Sequence, residues 1–280
     1  MAARSLSGTR LEANGLSHYV VDVGNGPAVV LLHGFPDSAD MWREQVPALV
    51  EAGYRVIAPD LRGFGDSDKP VGVENYVMFN AVADLRAILD TLDVGRASVV
   101  GHDFGAGVAW LFASAEPAVT ERLVAVSVGH PGAFTRARFK QMQMSWYSFL
   151  FQYEQLAEDL LAKDGWSLFR EWLASSPDLE RSLSAMSDRA ALTAGLSWYR
   201  ANMTPQIWGI DVPFPEIAVP TMGVWGSTDF ALGEEQMTDS VQFLTGPWRY
   251  ERFEGAGHWL ALERPEEFNA LLIDFLGEKP

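Results

Sequence analysis

The chain contains no cysteine, is poor in cations and has no long apolar run, and each deficit removes a class of chemistry. Without cysteine there is no disulfide, no thiolate nucleophile, no Cys-ligated zinc and no iron–sulfur cluster, and nothing points to an oxidising compartment. Lys and Arg number 21 against 37 Asp and Glu, a formal net charge of −16, and a polyanion such as nucleic acid is repelled by it. No apolar stretch approaches the roughly 18 residues of a membrane span, and the first ten residues lack the apolar core of a signal peptide. The expectation is a soluble, cytoplasmic protein with neither a nucleic-acid partner nor a membrane span.

What is present is enough apolar material for a large core: 48% of the 280 residues are apolar and only 21% charged, which excludes disorder on composition. The length exceeds a typical domain of about 150 residues but falls short of two, so one domain with an insertion is the economical reading. Ala28-Val29-Val30-Leu31-Leu32 is a short apolar run, similar runs occupy residues 54–59, 97–101 and 123–128, and strand-like texture returns at Thr221–Gly226 and Trp248–Phe253. Such runs suit strands buried on both faces, the signature of a parallel sheet covered by helices. Helical spacing fills residues 75–92, Phe104–Ala115 and 265–276, so strand and helix alternate and the class is α/β.

Between about residues 131 and 213 the strand-like runs vanish. Aromatic residues, Met and Leu recur there at three- and four-residue intervals through 139–173, and a second helical block covers 177–202. The α/β texture then resumes, so the spacing predicts a helical insertion that interrupts one sheet: a core of residues 1–134 and 213–280 around a helical unit of 135–212. Gly24-Asn25-Gly26-Pro27 and Asp211-Val212-Pro213-Phe214-Pro215 read as turns or connectors.

The most informative segment is Gly101-His102-Asp103-Phe104-Gly105. It sets an acid at the centre of G-x-D-x-G, directly after a buried run and before a helix, where flanking glycines permit a strained strand-to-helix turn that projects the central side chain. On local sequence alone Asp103 is equally an N-cap. In that type of turn, an oxyanion hole uses the amide after the nucleophile and another from an early loop; here these are the N–H groups of Phe104 and of Phe35, in His33-Gly34-Phe35-Pro36. Phe35-Pro36 is also a candidate cis bond. Of five histidines, His258, in Gly255-Ala256-Gly257-His258-Trp259, follows the last strand signal, as the chain order nucleophile, acid, histidine requires. His33 and His102 lie inside the turns and read as structural hydrogen-bonders, while His18 and His130 have no supporting context. Gly226-Ser227-Thr228-Asp229 supplies the orienting acid after a strand, although Asp229 could instead cap a helix starting near Leu232.

With these residues in place, the sequence resembles the α/β-hydrolase superfamily over nearly its whole length, and within it the epoxide hydrolases. The shared residues are His33-Gly34-Phe35-Pro36, Asp60-Leu61-Arg62-Gly63-Phe64-Gly65-Asp66-Ser67, Gly101 to Gly105, Gly226 to Asp229 and Gly257-His258. The resemblance implies an α/β-hydrolase fold, a mostly parallel sheet flanked by helices with 135–212 as an inserted cap, and an Asp103-His258-Asp229 triad. Haloalkane and haloacid dehalogenases share that triad. Epoxide hydrolases also resemble this chain at Trp146-Tyr147-Ser148 and Trp198-Tyr199-Arg200, which implies that Tyr147 and Tyr199 are the cap tyrosines aimed at the nucleophile, with Gln152 and Ala157-Glu158 setting the register and Tyr153 a decoy.

Haloalkane dehalogenases commonly carry Trp after the nucleophile, where this chain has Phe104. Haloacid dehalogenases carry a nearby Arg, and 104–109 hold no cation. They also carry Trp in place of Tyr147. The resemblance therefore implies hydrolysis of a small apolar epoxide to a vicinal diol, with water as co-substrate and no metal or organic cofactor. The alternatives are a dehalogenase with the same triad and a non-catalytic, small-molecule-binding member of the fold.

Overall fold

Ala28–Leu32 is buried at every residue because it becomes a central strand covered on both faces. The computed structural model describes residues 5–209 and 216–278. The strands are β1 (Thr9–Ala13), β2 (Leu16–Gly24), β3 (Ala28–Leu32), β4 (Arg55–Pro59), β5 (Ala97–His102), β6 (Thr120–Val126), β7 (Thr221–Gly226) and β8 (Trp248–Phe253). They form one sheet in the order β1-β2-β4-β3-β5-β6-β7-β8. Pairing is parallel from β4 through β8, and β2 is antiparallel to both of its neighbours. The fold is therefore α/β with a mostly parallel sheet. The β1–β2 hairpin has no counterpart in the apolar runs of the sequence, because β1 is largely exposed and β2 mixes apolar with polar residues.

Core helices are α1 (Gln45–Glu51), α2 (Met78–Thr91), α3 (Phe104–Ala115), α10 (Glu234–Thr238), α11 (Leu260–Glu263) and α12 (Pro265–Gly277). The helix expected over 75–92 divides into a 3₁₀ turn, Val73–Tyr76, and α2. Pro265 starts α12 with Glu266 and Glu267 in its first turn, the residues that a helix N-terminus favours. Alternation along β3 sorts the core into two layers. Val30 and Leu32 face α2, α3 and the insertion, whereas Val29 and Leu31 face α1 and α12 through Val46, Leu49, Phe268 and Leu272.

Between β6 and β7, which pair directly, the chain inserts α4 (Pro131–Arg136), α5 (Arg138–Met144), α6 (Trp146–Phe151), α7 (Leu156–Trp172), α8 (Leu179–Met186) and α9 (Arg189–Asn202). Non-helical backbone at Lys163–Trp166 kinks α7. Helix α9 opens on Asp188, whose carboxylate caps the amide of Ala190 at 3.0 Å. The expected second boundary of the insertion, 212/213, and the connector 211–215 lie outside the described residues.

Three side chains fix the insertion to the core and to itself. Trp198 Nε1 donates to the carbonyl of Arg62 at 3.0 Å. Asn202 accepts from the amide of Met78 at 2.9 Å and donates to the carbonyl of Tyr76 at 2.7 Å. Arg200 makes a buried bidentate pair with Glu158, at 2.8 and 2.9 Å, and donates its Nε to the carbonyl of Phe151.

Candidate active site

The turn between β5 and α3 is where the sheet delivers a carboxylate. Asp103 holds φ 53° and ψ −123°, a conformation that only surrounding structure sustains. Both flanking glycines are required by close approach: a Cβ on Gly101 would overlap the backbone of Gly105, and one on Gly105 would overlap the carbonyl of Leu32. Asp103 does occupy the N-cap position of α3, yet its side chain makes no capping bond. The carboxylate instead turns outward. Its Oδ1 accepts from the amide of Phe35 at 2.9 Å, and the amide of Phe104 also donates to the carboxylate. Gly34 admits this arrangement, since a Cβ there would overlap the side chain of Asp103. The Phe35-Pro36 bond is cis.

His258 comes from the loop after β8. Its Nε2 lies 3.8 Å from Asp103 Oδ2, and its Nδ1 lies 2.9 Å from Asp229 Oδ2. Two donors hold the His258 carbonyl, Ser127 Oγ and His102 Nε2, each at 2.9 Å. Asp229 takes the orienting role and caps no helix, since α10 starts at Glu234 with Gly233 at its N-cap. Oδ2 meets His258, while Oδ1 accepts from the amides of Ala231 and Leu232 at 2.8 and 3.0 Å, so the turn cap orients the acid.

The other histidines are structural. His33 bridges the carbonyl of Gly34 and the amide of Leu61. His130 caps α4 and stacks on Phe243 with ring centroids 4.2 Å apart. His18, within β2 of the hairpin, lies beside Asp84.

Tyr147 on α6 and Tyr199 on α9 are buried, and their rings meet edge to face with centroids 5.7 Å apart. Gln152 locks the two helices together: its Nε2 donates to the carbonyls of Ser148, Tyr199 and Met203 at 3.0, 3.2 and 3.3 Å. Tyr153, by contrast, is exposed. Both buried tyrosines line a cavity of about 290 Å³ together with Asp103 and Phe104. Among its described lining residues Asp103 is the sole acid, and no Lys, Arg or His is present.

Burial sets the electrostatics. It pushes the Asp103 carboxyl upward, opposed by the His258 charge and the amides of Phe104 and Phe35. It also works against the His258 imidazolium, but Asp229, then Asp103 and Asp37, outweigh it and hold His258 at about 9. Both phenols are raised, by burial first and then by the Asp103 charge, so they keep their protons and remain donors at neutral pH.

Sequence reasoning passed over Asp37. It follows the Gly-Phe-Pro turn, accepts from Trp259 Nε1 at 2.9 Å, and is held at about 7 by burial, opposed by that hydrogen bond. The available signal was an acid directly after an apolar turn. The role of Ser127 had no signal at all.

The geometry is a strand–turn–helix elbow that sets a carboxylate beside a histidine paired with a second acid. Residues 27–265 match the family model described as alpha/beta hydrolase fold, and the chain belongs to that family. The chain is 32% identical to Epoxide hydrolase 3 of Xenopus tropicalis, over 96% of this chain and 77% of that one. It is likewise 32% identical to Epoxide hydrolase A of Mycobacterium tuberculosis, over 95% and 96% of the two chains. The crystal structure of epoxide hydrolase A from Mycobacterium thermoresistibile superimposes with a TM-score of 0.82 at 32% identity, covering 96% of this chain and 98% of that one. Within the fold family, then, this chain is a member of the epoxide hydrolases. Among the described residues no helix is long and apolar enough to cross a membrane.

Proposed function

We propose that the chain hydrolyses a small apolar epoxide to a vicinal diol through an ester on Asp103, with residues 135–212 acting as a cap over the site. The observation that carries this reading is the division of labour between the two carboxylate oxygens. Oδ1 is held by the amide of Phe35, while Oδ2 faces His258 and is left to attack. In the first step Asp103 Oδ2 bonds to a ring carbon, the ring C–O bond breaks, and the ring oxygen takes its proton through the hydroxyls of Tyr147 and Tyr199. Positioned acids contribute about 10² to 10⁴ in rate.

In the second step His258, oriented by Asp229, removes a proton from water, and the hydroxide adds to Asp103 Cγ. Oδ1 already accepts from the Phe35 amide, and the Phe104 amide meets the same carboxyl, so the charge that develops there is stabilised by donors already in place. Collapse breaks the bond from Asp103 Cγ to the alkyl oxygen, which takes the proton held by His258; the proton left on the Asp103 acid returns to the tyrosine that gave one up, so the diol leaves and the carboxylate, imidazole and phenols are restored. No step calls for a metal or an organic cofactor.

The same nucleophile argues against esters as substrates, because carboxylate attack on an acyl carbon yields an anhydride rather than a bond that the triad is arranged to turn over. The cavity also disfavours haloacids, whose carboxylate would meet no cation there. The test is His258→Gln exposed to an epoxide and examined by intact-protein mass spectrometry. The expected result is one adduct of substrate mass, mapped to Asp103. An unmodified, folded variant overturns the mechanism; halide release without diol from the wild type would make the chain a dehalogenase, and saturable binding without product a receptor.

A further inference from the structure

The cavity beside Asp103 is bordered by α3, by residues 128–135 after β6 and by α9. One wall is a face of α3, where Phe104, Gly107 and Leu111 stand at successive turns. Seven residues of helix span roughly 10 Å. Gly107 lets the Met78 side chain pack directly against α3 here, since a Cβ there would press on it, and Met78 lines the same cavity. Val77 and Phe79, both exposed apolar residues, border the same cavity and mark its mouth. The described lining away from Asp103 is nearly all apolar, with Thr135, Ser145 and Asn202 as uncharged exceptions.

On the other side of the carboxylate the space is filled. The Phe35 ring packs against Trp172, Phe169 and Tyr199 with centroids 5.8, 6.4 and 5.3 Å away. Trp172 in turn lies 4.7 Å from Tyr147 and 5.1 Å from Phe151. Beyond Pro36 lies a second cavity of about 250 Å³, but Asp37, Asp40, Asp66, Asp178 and Arg181 line it, and Asp40 is paired with Arg181. A hydrocarbon arm sent that way would have to displace packed rings and then enter charged surroundings, which costs on both counts.

We propose that the substrates are terminal epoxides bearing one apolar substituent, which lies along Phe104, Gly107 and Leu111, and that the aromatic wall of Phe35 and Trp172 excludes trans-disubstituted epoxides whose second arm points the opposite way. This specificity rests on the epoxide-hydrolase reading above. It places the chain after a reaction that oxidises a terminal alkene, and its product is a terminal diol.

The test compares kcat/KM of the full chain for terminal octene oxide and for the isomer with a trans ring at mid-chain, with diol formation as the readout. The expected preference for the terminal isomer is on the order of 100-fold, the scale of discrimination by a packed apolar wall. Trp172→Ala should raise kcat/KM for the mid-chain isomer by about tenfold, and Leu111→Trp should lower the ratio of terminal octene oxide to propylene oxide by about tenfold. Equal turnover of the two isomers by the wild type overturns the one-armed cavity while leaving the epoxide-hydrolase reading intact. Absence of diol from every epoxide overturns that reading, and this inference with it. The wild-type ratio and Leu111→Trp decide the matter even if Trp172→Ala does not fold.

Discussion

His258 Nε2 stands 3.8 Å from Asp103 Oδ2, close enough for each charge to hold the other in place and too far for a hydrogen bond. In the resting site Asp103 contributes to holding His258 at about 9, so the imidazole is charged at neutral pH. In the proposed mechanism, esterification of Oδ2 removes that negative charge, and the imidazolium loses part of its support. Alkylation itself therefore moves His258 toward the neutral form needed to activate water.

The first prediction follows from that coupling. Ester hydrolysis needs neutral His258, so its rate should rise with pH up to a midpoint below about 9 and fall about tenfold per unit on the acid side. Formation of the ester needs only ionised Asp103. Lowering the pH from neutrality should therefore increase the steady-state fraction of alkylated enzyme, measured by acid quench and intact mass. A fraction that stays flat or declines contradicts the assignment of His258 as base.

Asp37 tests the same electrostatics from the opposite side. Its charge is among those that raise His258, and its carboxylate accepts from Trp259. Asp37→Asn keeps an acceptor for that indole but removes the charge. The hydrolysis midpoint should move to lower pH, with the cavity shape unchanged. A shift upward, or none, would mean that Asp37 does not act on His258.

Much of this site was legible in the sequence, and the reasons differ by residue. Asp103, Asp229 and His258 each sit at the end of a strand or in the loop after one, so the order of apolar runs located them. The oxyanion amides followed because backbone donors are fixed by the turn. Tyr147 and Tyr199 lie 52 positions apart on two helices, and periodicity alone gives them no distinction from packing residues; resemblance in local sequence supplied them. Asp37 was missed because its importance lies in burial beside His258, which no local pattern encodes. The β1–β2 hairpin was missed for a related reason: an edge hairpin with exposed polar residues leaves no apolar run.

The paired phenols should act on the first step alone. Tyr147 rests on Trp172 and Tyr199 on Phe104, with centroids 4.7 and 4.8 Å apart, so Phe replacements preserve the packing and remove only the donor. Each of Tyr147→Phe and Tyr199→Phe should slow alkylation by about 10-fold to 100-fold, and the double variant by about 10² to 10⁴. Hydrolysis of the ester, followed in single turnover, should change little. Equal loss in both steps would assign the tyrosines a structural role instead.

Gly34 carries a prediction that separates geometry from chemistry. Any Cβ at this position overlaps the Asp103 side chain, so Gly34→Ala must displace the carboxylate from the Phe35 amide. Losing one oxyanion donor typically costs about 10² to 10³ in kcat. Far-UV circular dichroism should be unchanged, because the residue lies in a loop. Wild-type kcat in Gly34→Ala would show that the Phe35 amide is dispensable.

The buried pair of Arg200 and Glu158 links stability to the placement of Tyr199, its neighbour on α9. Burial works against the Glu158 charge, but the Arg200 hydrogen bonds prevail and hold its carboxyl below the ordinary value of 4.5. A depressed folded-state value means that the pair stabilises the fold above the unfolded pKa, and that this contribution is lost as pH falls through the folded one. Arg200→Met leaves a buried, unpaired carboxylate and should cost about 3 to 5 kcal/mol. Removing the orphaned charge as well, in Arg200→Met with Glu158→Gln, should recover much of that loss, measured by urea unfolding at neutral pH. Because Arg200 also donates to the Phe151 carbonyl, on the helix that carries Tyr147, the double variant should regain stability before it regains full alkylation rate. Equal recovery of both would mean that the pair holds the insertion together without setting the distance between the two phenols.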